Sequence, residues 1–503
     1  MYECAIFISG IMVMVLEMVG ARLMAPHVGT SIIVWTSLIG VVLAFLAFGA
    51  WLGGRLADKR LSPRMLASIV AGAGFGVGLI AFIHPVLGEG LMENSPNIYV
   101  GAVLGALLHF ALPSLLFGMV PPYIVRLRLA DLASSGATVG RLYALSTAGS
   151  IVGTFLGGFV LVSFFGSMEI LLGTAAAAGL LSLIICSQKK LPAISLILVS
   201  LGAALAIYSH ENWQLSQGKL PTLETPYNTI MVLEGLSDSR QVRFIRTDPG
   251  KLQSGMYLDD KIDLYAEYTR YYALGTALHS GAKAVLMLGG GGYSVPKWLL
   301  AGRGGLASDS LDLDVVELDP GMTRLARSLF SLPADPRMKI VHEDARRFLN
   351  TNSKVYDLIF VDVFNSYYTV PFHIGTVEAA RAMRRALAPD GMLIMNIISA
   401  YTGPNGALFQ AIRASMDSAF AETHAFAVHW PDKLDRVQNI MLLALPEKRP
   451  DLAQALAGED KRLSGQIRKM LATRITQAPD QLTPALTDNF APVERYAQAL
   501  LAE

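Results

Sequence analysis

Four short stretches hold residue types that can do chemistry together. VLMLGGGGYS (285–294) is an apolar run leading into Gly289, Gly290, Gly291 and Gly292, and VVELD (315–319) closes a second run with Glu317. HEDA (342–345) places Asp344 and Ala345 after a third run, and FVDVFNSYY (360–368) places Asp362 after a fourth. Glycines let a backbone come close to a ligand. An acid roughly 20–30 residues downstream can accept from both ribose hydroxyls, and Asp344 can accept from an adenine amino group. Each part also has a plainer use, since tight strand–helix turns need glycine and an acid after a strand often caps a helix. GGGG lacks the G-x-G-x-x-G spacing, and no P-loop lysine follows it, so NAD and ATP are disfavoured and S-adenosylmethionine or a relative fits better.

The elements that must position these residues alternate. Strands are expected at 284–289, 312–318, 338–342, 356–363 and 391–398, with helices at about 294–302, 320–330, 344–350 and 376–387. Near-continuous apolar strands separated by helices predict a Rossmann-like α/β domain over 281–445, with a parallel sheet covered on both faces. In such sheets ligands bind at the carboxyl ends of the strands, where all four motifs fall. The segments 423–430 and 439–445 can add an antiparallel pair. Upstream, 227–235, 241–248 and 254–260 alternate like short antiparallel strands, so 211–280 is read as a small β-sheet with a linking helix at about 264–280. Residues 446–503 are expected to be helices packed on the outside.

The first 210 residues are different. Mean hydropathy is +0.44, and the apolar residues concentrate in long runs before about residue 210. Seven candidate spans follow: 5–25, 32–54, 65–86, 98–125, 142–164, 168–187 and 191–208. Pro113, Pro121 and Pro122 are expected to bend or end the fourth. The start lacks a cleavable leader pattern, so the first segment is read as a retained helix. Basic loops at 58–64, 126–141 and 187–190 alternate onto one side with the N-terminus and mark that side as cytoplasmic. Seven spans put the following domain on the opposite side, whereas its co-substrate favours the cytoplasm; the expectation is a multi-pass inner-membrane protein with a cytoplasmic catalytic domain. Glu17 and Arg22 are intramembrane charges, suited either to an ion pair between helices or to a cation path.

With 41 Lys+Arg against 40 Asp+Glu, no polyanionic partner is implied and no basic stripe suggests nucleic acid. Cys4 and Cys186 both lie in apolar segments, which argues against a disulfide framework or thiolate metal site. No metal site is expected; His27, His84, His109, His342 and His373 are scattered, with His373 near enough to the motifs for a minor role.

From about Tyr227 to Leu445 the chain resembles the spermidine synthases, polyamine aminopropyltransferases with a methyltransferase-like fold, and the whole resembles their membrane-fused branch. YNTI (227–230) resembles the family's Y-Q-x-I, with Asn228 in place of the cofactor-contacting amide, and GMYLDDKIDLYAEY resembles L-x-L-D-G-x-x-Q. The resemblance implies that Gly289 to Gly292, Glu317, Asp344 and Ala345 line the nucleoside site. It places Asp362 on the aspartate of D-S-T-D-P, which helps deprotonate the attacking amine and reaches the cofactor. Decarboxylated S-adenosylmethionine carries a sulfonium; an amine attacks the adjacent carbon and methylthioadenosine leaves. The amine must arrive neutral, so a carboxylate must take its proton. Tyr268 is the second candidate catalytic residue, and Asp259, Asp263, Tyr265, Glu267, Tyr367 and Tyr368 are candidate walls for a cationic amine. A homodimer in contact with membrane lipid is the expected assembly.

Three departures stand out. Gly292 replaces an aspartate that holds the donor's amine, the second aspartate of D-S-T-D-P is absent, and the glutamine of L-D-G-x-x-Q is not evident. Losing a carboxylate at 292 eases binding of intact S-adenosylmethionine, whose own carboxylate it would repel by about 1–4 kcal/mol at 4 Å. Lyase, cyclising or aminocarboxypropyl chemistry on the intact donor is therefore an alternative. Others are a methyltransferase, and a transporter or sensor that binds a polyamine or nucleoside without turnover.

Overall fold

The computed structural model describes all residues except 29–31, 88–97, 130–134, 186–221, 248–251, 307–309, 365–369, 458, 462, 481–482, 494 and 497–503. Residue contacts divide the chain into two units, 1–229 with 248–250, and 230–247 with 251–503.

The first unit is built from α1 (Tyr2–Val28), α2 (Ile32–Lys59), α3 (Pro63–Leu87), α4 (Ile98–Arg128), α5 (Ser135–Phe155) and α6 (Ser167–Ile185), followed by a short strand β1 (Thr222–Glu224). Among the described residues, six helical segments are long and apolar enough to cross a membrane: Tyr2–Ala25, Ile32–Lys59, Pro63–Ala81, Tyr99–Arg128, Ser135–Phe164 and Ser167–Ile185. The seventh expected span, 191–208, lies outside the described residues. The fourth span does not end at its prolines, because α4 runs through Pro113, Pro121 and Pro122. Neighbouring helices can hold such a helix together by packing. Added methyl groups on Gly49 and Gly53 of α2 would strike the backbone of Leu115 and Met119 on α4, and one on Gly118 would strike Leu46. The same closeness joins α1 and α5, where Gly149 faces the Phe7 carbonyl and Gly153 the Ile11 carbonyl. Small residues allow this approach where no hydrophobic drive separates helix from solvent. The outward face of the fifth segment stays apolar, with Tyr143 74% and Phe159 71% exposed.

Charges gather at one end of this bundle. Glu3 pairs with Arg128 at 3.3 Å and Arg141 at 3.1 Å, and Arg126 pairs with Asp58 at 3.3 Å. Two of the basic loops thus share the N-terminal end of the bundle. Arg22 forms an ion pair with Glu224 at 3.1 Å and donates to the Val162 carbonyl at 2.6 Å. Glu224 also accepts from the backbone N and Oγ of Ser167, so Arg22 serves a structural clamp within the unit. Glu17 is half-buried, one turn before it.

The second unit begins with an antiparallel sheet of β2 (Thr229–Ser237), β3 (Arg240–Arg246) and β4 (Ser254–Tyr257). The expected helix at 264–280 is instead a 3₁₀ turn, Glu267–Tyr272, leading into the short α7 (Ala273–Leu278). Then come β5 (Ala284–Leu288), α8 (Ser294–Leu300), β6 (Asp312–Val316), α9 (Pro320–Leu329), β7 (Met338–Val341), α10 (Ala345–Thr351) and β8 (Tyr356–Val361). They are followed by α11 (Val377–Arg385), β9 (Leu387–Ser399), α12 (Ala407–Asp417), β10 (Glu422–Ala427) and β11 (Gln438–Leu445). The seven strands form one sheet in the order β7-β6-β5-β8-β9-β11-β10. β5 is paired in parallel with β6 and β8, while β11 runs antiparallel to β9 and β10. This is the Rossmann-like order of methyltransferase folds, with the predicted antiparallel pair at one edge. Leu286, Ile359, Leu393 and Leu442 are fully buried at its centre.

The C-terminal region departs from expectation. Among its described residues α-helix is confined to Ala453–Leu456 and Gly465–Ala472, α13 and α14, and to a short helical stretch that includes Val493, Arg495 and Tyr496. Elsewhere the region is largely irregular, yet Leu486 and Val493 are 1% exposed within the same core as Ile374 and Ile412. Backbone bonds replace helical ones there, such as Val377 N to Leu486 O at 2.9 Å and Ile475 N to Ala425 O at 2.8 Å.

Gly149→Leu is expected to cost about 1–3 kcal/mol through overpacking, whereas Gly54→Leu, with nothing within 4 Å, is neutral. Thermal unfolding of the full chain in detergent checks this; equal midpoints for the two variants refute the close α1–α5 crossing.

Candidate active site

Strand register sets the site. Leu288 is opposite Val316 on one side and Val361 on the other, and Val316 is opposite Val341. The next residue along each strand is therefore Gly289, Glu317, Asp362 and His342, in one row at the carboxyl ends. Gly289 and Gly291 have φ of 92° and 50°, the left-handed region that glycine adopts without strain. A side chain on Gly289 would strike the Asp362 carbonyl.

Glu317 is turned into the glycine loop. Its Oε2 accepts from Gly290 N at 2.8 Å and Gly291 N at 3.1 Å, and its Oε1 accepts from Asp319 N at 2.9 Å. A carboxylate has about four acceptor positions, so a ribose hydroxyl can be added at Oε1. Burial pushes the Glu317 carboxyl above its ordinary pKa. The loop is supported from beneath by Tyr293, fully buried, whose hydroxyl lies 2.6 Å from Thr323 Oγ1. Its φ is 55°, an unusual backbone for a bulky residue, at the first turn after the loop. Asp344 caps α10, accepting from the backbone N of Arg346 and Arg347, and its Oδ2 lies 3.0 Å from His373 Nε2. The His373 hydrogen bond is the main cause that holds Asp344 below the usual carboxylate range. Ala345 is buried as the first residue of that helix.

Asp362 has two donors. Tyr268 donates its hydroxyl to Oδ2 at 2.9 Å, and Asn396 donates Nδ2 to Oδ1 at 3.0 Å. Desolvation by the surrounding core outweighs both bonds and pushes the Asp362 pKa up to about 6. A base poised near neutrality is suited to taking a proton and giving it up again.

The expected amine walls are occupied otherwise. Arg240 binds Asp259 at 2.8 Å and Asp263 at 2.9 Å while lying 3.5 Å from the Tyr257 ring centre. Tyr265 packs between Phe244 and Tyr257 in the small sheet's own cluster. Glu267 pairs with His429 at 3.0 Å. Tyr367 and Tyr368 lie outside the described residues. Asn228 belongs to the first unit, in a turn where its backbone N donates to Thr225 Oγ1 at 2.9 Å. Gly292 faces Ser254 of β4, whose hydroxyl fills the volume a side chain there would need. Sequence reasoning missed Asn396, although a lone amide in the apolar run MLIMNIIS was a visible signal. It also missed Tyr293, Ser254, His429 and Asn439, which carry no local signature. Among the described residues, no three His, Cys, Asp or Glu side chains gather to hold a metal.

The sheet carries a glycine loop at the end of β5, with an acid at the end of the strand on one side and a buried carboxylate at the end of the strand on the other, the frame of a methyltransferase-like enzyme domain. Residues 267–448 match the spermine/spermidine synthase domain, and the protein is an enzyme. It is 27% identical over 273 residues to the polyamine aminopropyltransferase of Vibrio vulnificus, covering 53% of this chain and 87% of that protein. It is 24% identical over 458 residues to polyamine aminopropyltransferase 1 of Streptomyces coelicolor, covering 85% of this chain and 81% of the relative. A solved probable spermidine synthase from Corynebacterium glutamicum aligns with a TM-score of 0.43 at 24% identity, over 53% of this chain and 96% of that one.

Glu317→Gln removes a charged acceptor worth about 1.5–3 kcal/mol, so adenosine nucleosides are expected to bind at least about tenfold more weakly by calorimetry. An unchanged Kd would show that Glu317 only braces the loop.

Proposed function

We propose that the protein transfers an aminopropyl group from decarboxylated S-adenosylmethionine to a polyamine such as putrescine, releasing methylthioadenosine. The single observation that carries this is the buried Asp362 carboxylate, held between the Tyr268 hydroxyl and the Asn396 amide beside the glycine loop. Glu317 takes the ribose and Asp344 the adenine edge. Asp362 accepts a proton from the acceptor ammonium, leaving a neutral amine. The amine nitrogen bonds to the carbon next to the sulfonium as the carbon–sulfur bond breaks. The electron pair stays on sulfur, which departs as a neutral thioether. Six helices long and apolar enough to cross a membrane support our reading of an inner-membrane protein, with the second unit on the cytoplasmic side. A homodimer remains our expectation for the assembly.

Gly292 favours one second reading, in which the donor is intact S-adenosylmethionine. The Ser254 hydroxyl occupies the space a side chain at 292 would enter, so a donor tail reaching this corner would be offered a hydroxyl instead of an acid. Incubation of the full chain with each donor, with and without putrescine, separates the readings. Methylthioadenosine from the decarboxylated donor, dependent on the amine, supports the first; the same product from the intact donor alone supports the second. S-adenosylhomocysteine overturns both.

Asp362→Asn is expected to abolish turnover, by at least about a hundredfold, while sparing nucleoside binding. The base works when deprotonated, so kcat/KM should rise with pH through about 6. Tyr268→Phe removes a bond to the ionised form and should move that limb to higher pH; a limb that stays in place assigns the base elsewhere.

A further inference from the structure

Asp362 belongs to a chain of hydrogen bonds that the Glu267–Tyr268 peptide link closes into a circle. Its carboxylate, when ionised, can only accept, so Asn396 must turn its Nδ2 toward Oδ1, 3.0 Å away. That leaves Asn396 Oδ1 to accept from Asn439 Nδ2 at 2.9 Å. Asn439 is fixed in turn, and its Oδ1 faces His429 Nε2 at 3.4 Å. The other ring nitrogen, Nδ1, lies 3.0 Å from Glu267 Oε2. Glu267 precedes Tyr268, which donates to the second oxygen of Asp362 and closes the circle. Both nitrogens of His429 thus face side-chain oxygens, of Glu267 on one side and of Asn439 on the other.

We infer that His429 and Asn439 are positioning residues for the base: they lock the Asn396 amide in the one orientation that donates to Asp362. The inference rests on the reading of Asp362 as the proton acceptor. Amides pass on orientation and not protons, so the chain holds the carboxylate in its ionised form without acting as a proton wire. With His429 gone, Asn439 and Asn396 can both turn over. A turned Asn396 presents its oxygen to Asp362, and that favours the protonated acid. The other titratable groups near the base are Tyr268 and Tyr272, and the Tyr272 hydroxyl is engaged with the Val361 carbonyl at 3.0 Å. Around His429 the neighbours are Glu267, Asn439 and the Trp430 ring, which Arg436 overlies at 5.6 Å.

The test uses the full chain in detergent. His429→Phe should move the acidic limb of kcat/KM to higher pH by about one unit, a tenfold loss on that limb that recovers as pH rises. Nucleoside Kd should not change. His429→Gln, which keeps an N–H for Asn439, should restore most of the shift, and Asn439→Leu should reproduce the phenylalanine variant. A loss equal at every pH, or an unmoved limb, overturns the proposal and leaves His429 a packing residue. A second readout needs no turnover: the infrared band of the protonated carboxyl, assigned by its absence in Asp362→Asn, should titrate at higher pH in His429→Phe. If no donor is turned over, the proposed function fails, and the infrared titration still decides whether His429 governs Asp362.

Discussion

Parallel pairing of β5 with a neighbour on each side is the constraint on which the site depends. Because Leu288, Val316 and Val361 lie level across three strands, the residues that follow them emerge at one height. Nothing else brings a loop near residue 290, an acid at 317 and an acid at 362 together. The right-handed crossovers that parallel strands require send α8, α9 and α10 back over the sheet, leaving the carboxyl ends open. A slip of one residue in any pair would turn alternate side chains to the opposite face and bury the acids among Leu286 and Ile359.

Much of this arrangement is legible in the amino-acid sequence. The βα alternation predicted the Rossmann-like sheet because buried parallel strands leave continuous apolar runs, and those runs end at the motif residues. The helical half was legible for a similar reason, in that apolar stretches of span length have few other uses. What escaped were features set by tertiary contact. The cap role of Asp344 is readable in HEDA, but nothing there says that His373 takes its other oxygen. Asp259, Asp263 and Glu267 read as open acids, yet Arg240 and His429 arrive from distant positions to match them. The irregular C-terminal segment was read as helix because its apolar residues are spaced loosely enough to suit either state, and its bonds to Ala425 and Val377 are invisible locally.

The two halves solve the same problem of backbone contact in different ways. In the helical unit, glycines at 49, 53, 118, 149 and 153 bring helices together until main chains touch. In the second unit, Gly289 lets the turn after β5 pass against the Asp362 carbonyl, where any side chain would collide. The same residue type thus joins helices in one unit and adjacent strand ends in the other. Tyr293 sits between these uses, since it fills space beneath the loop at the expense of an unusual backbone angle.

Ser254 and Gly292 compete for one volume. They come from different elements, a hairpin strand and the glycine turn, and a side chain at 292 finds room only if the Ser254 hydroxyl turns away or is lost. The two positions therefore form one unit of substitution, and the shape of this corner is written across two elements at once.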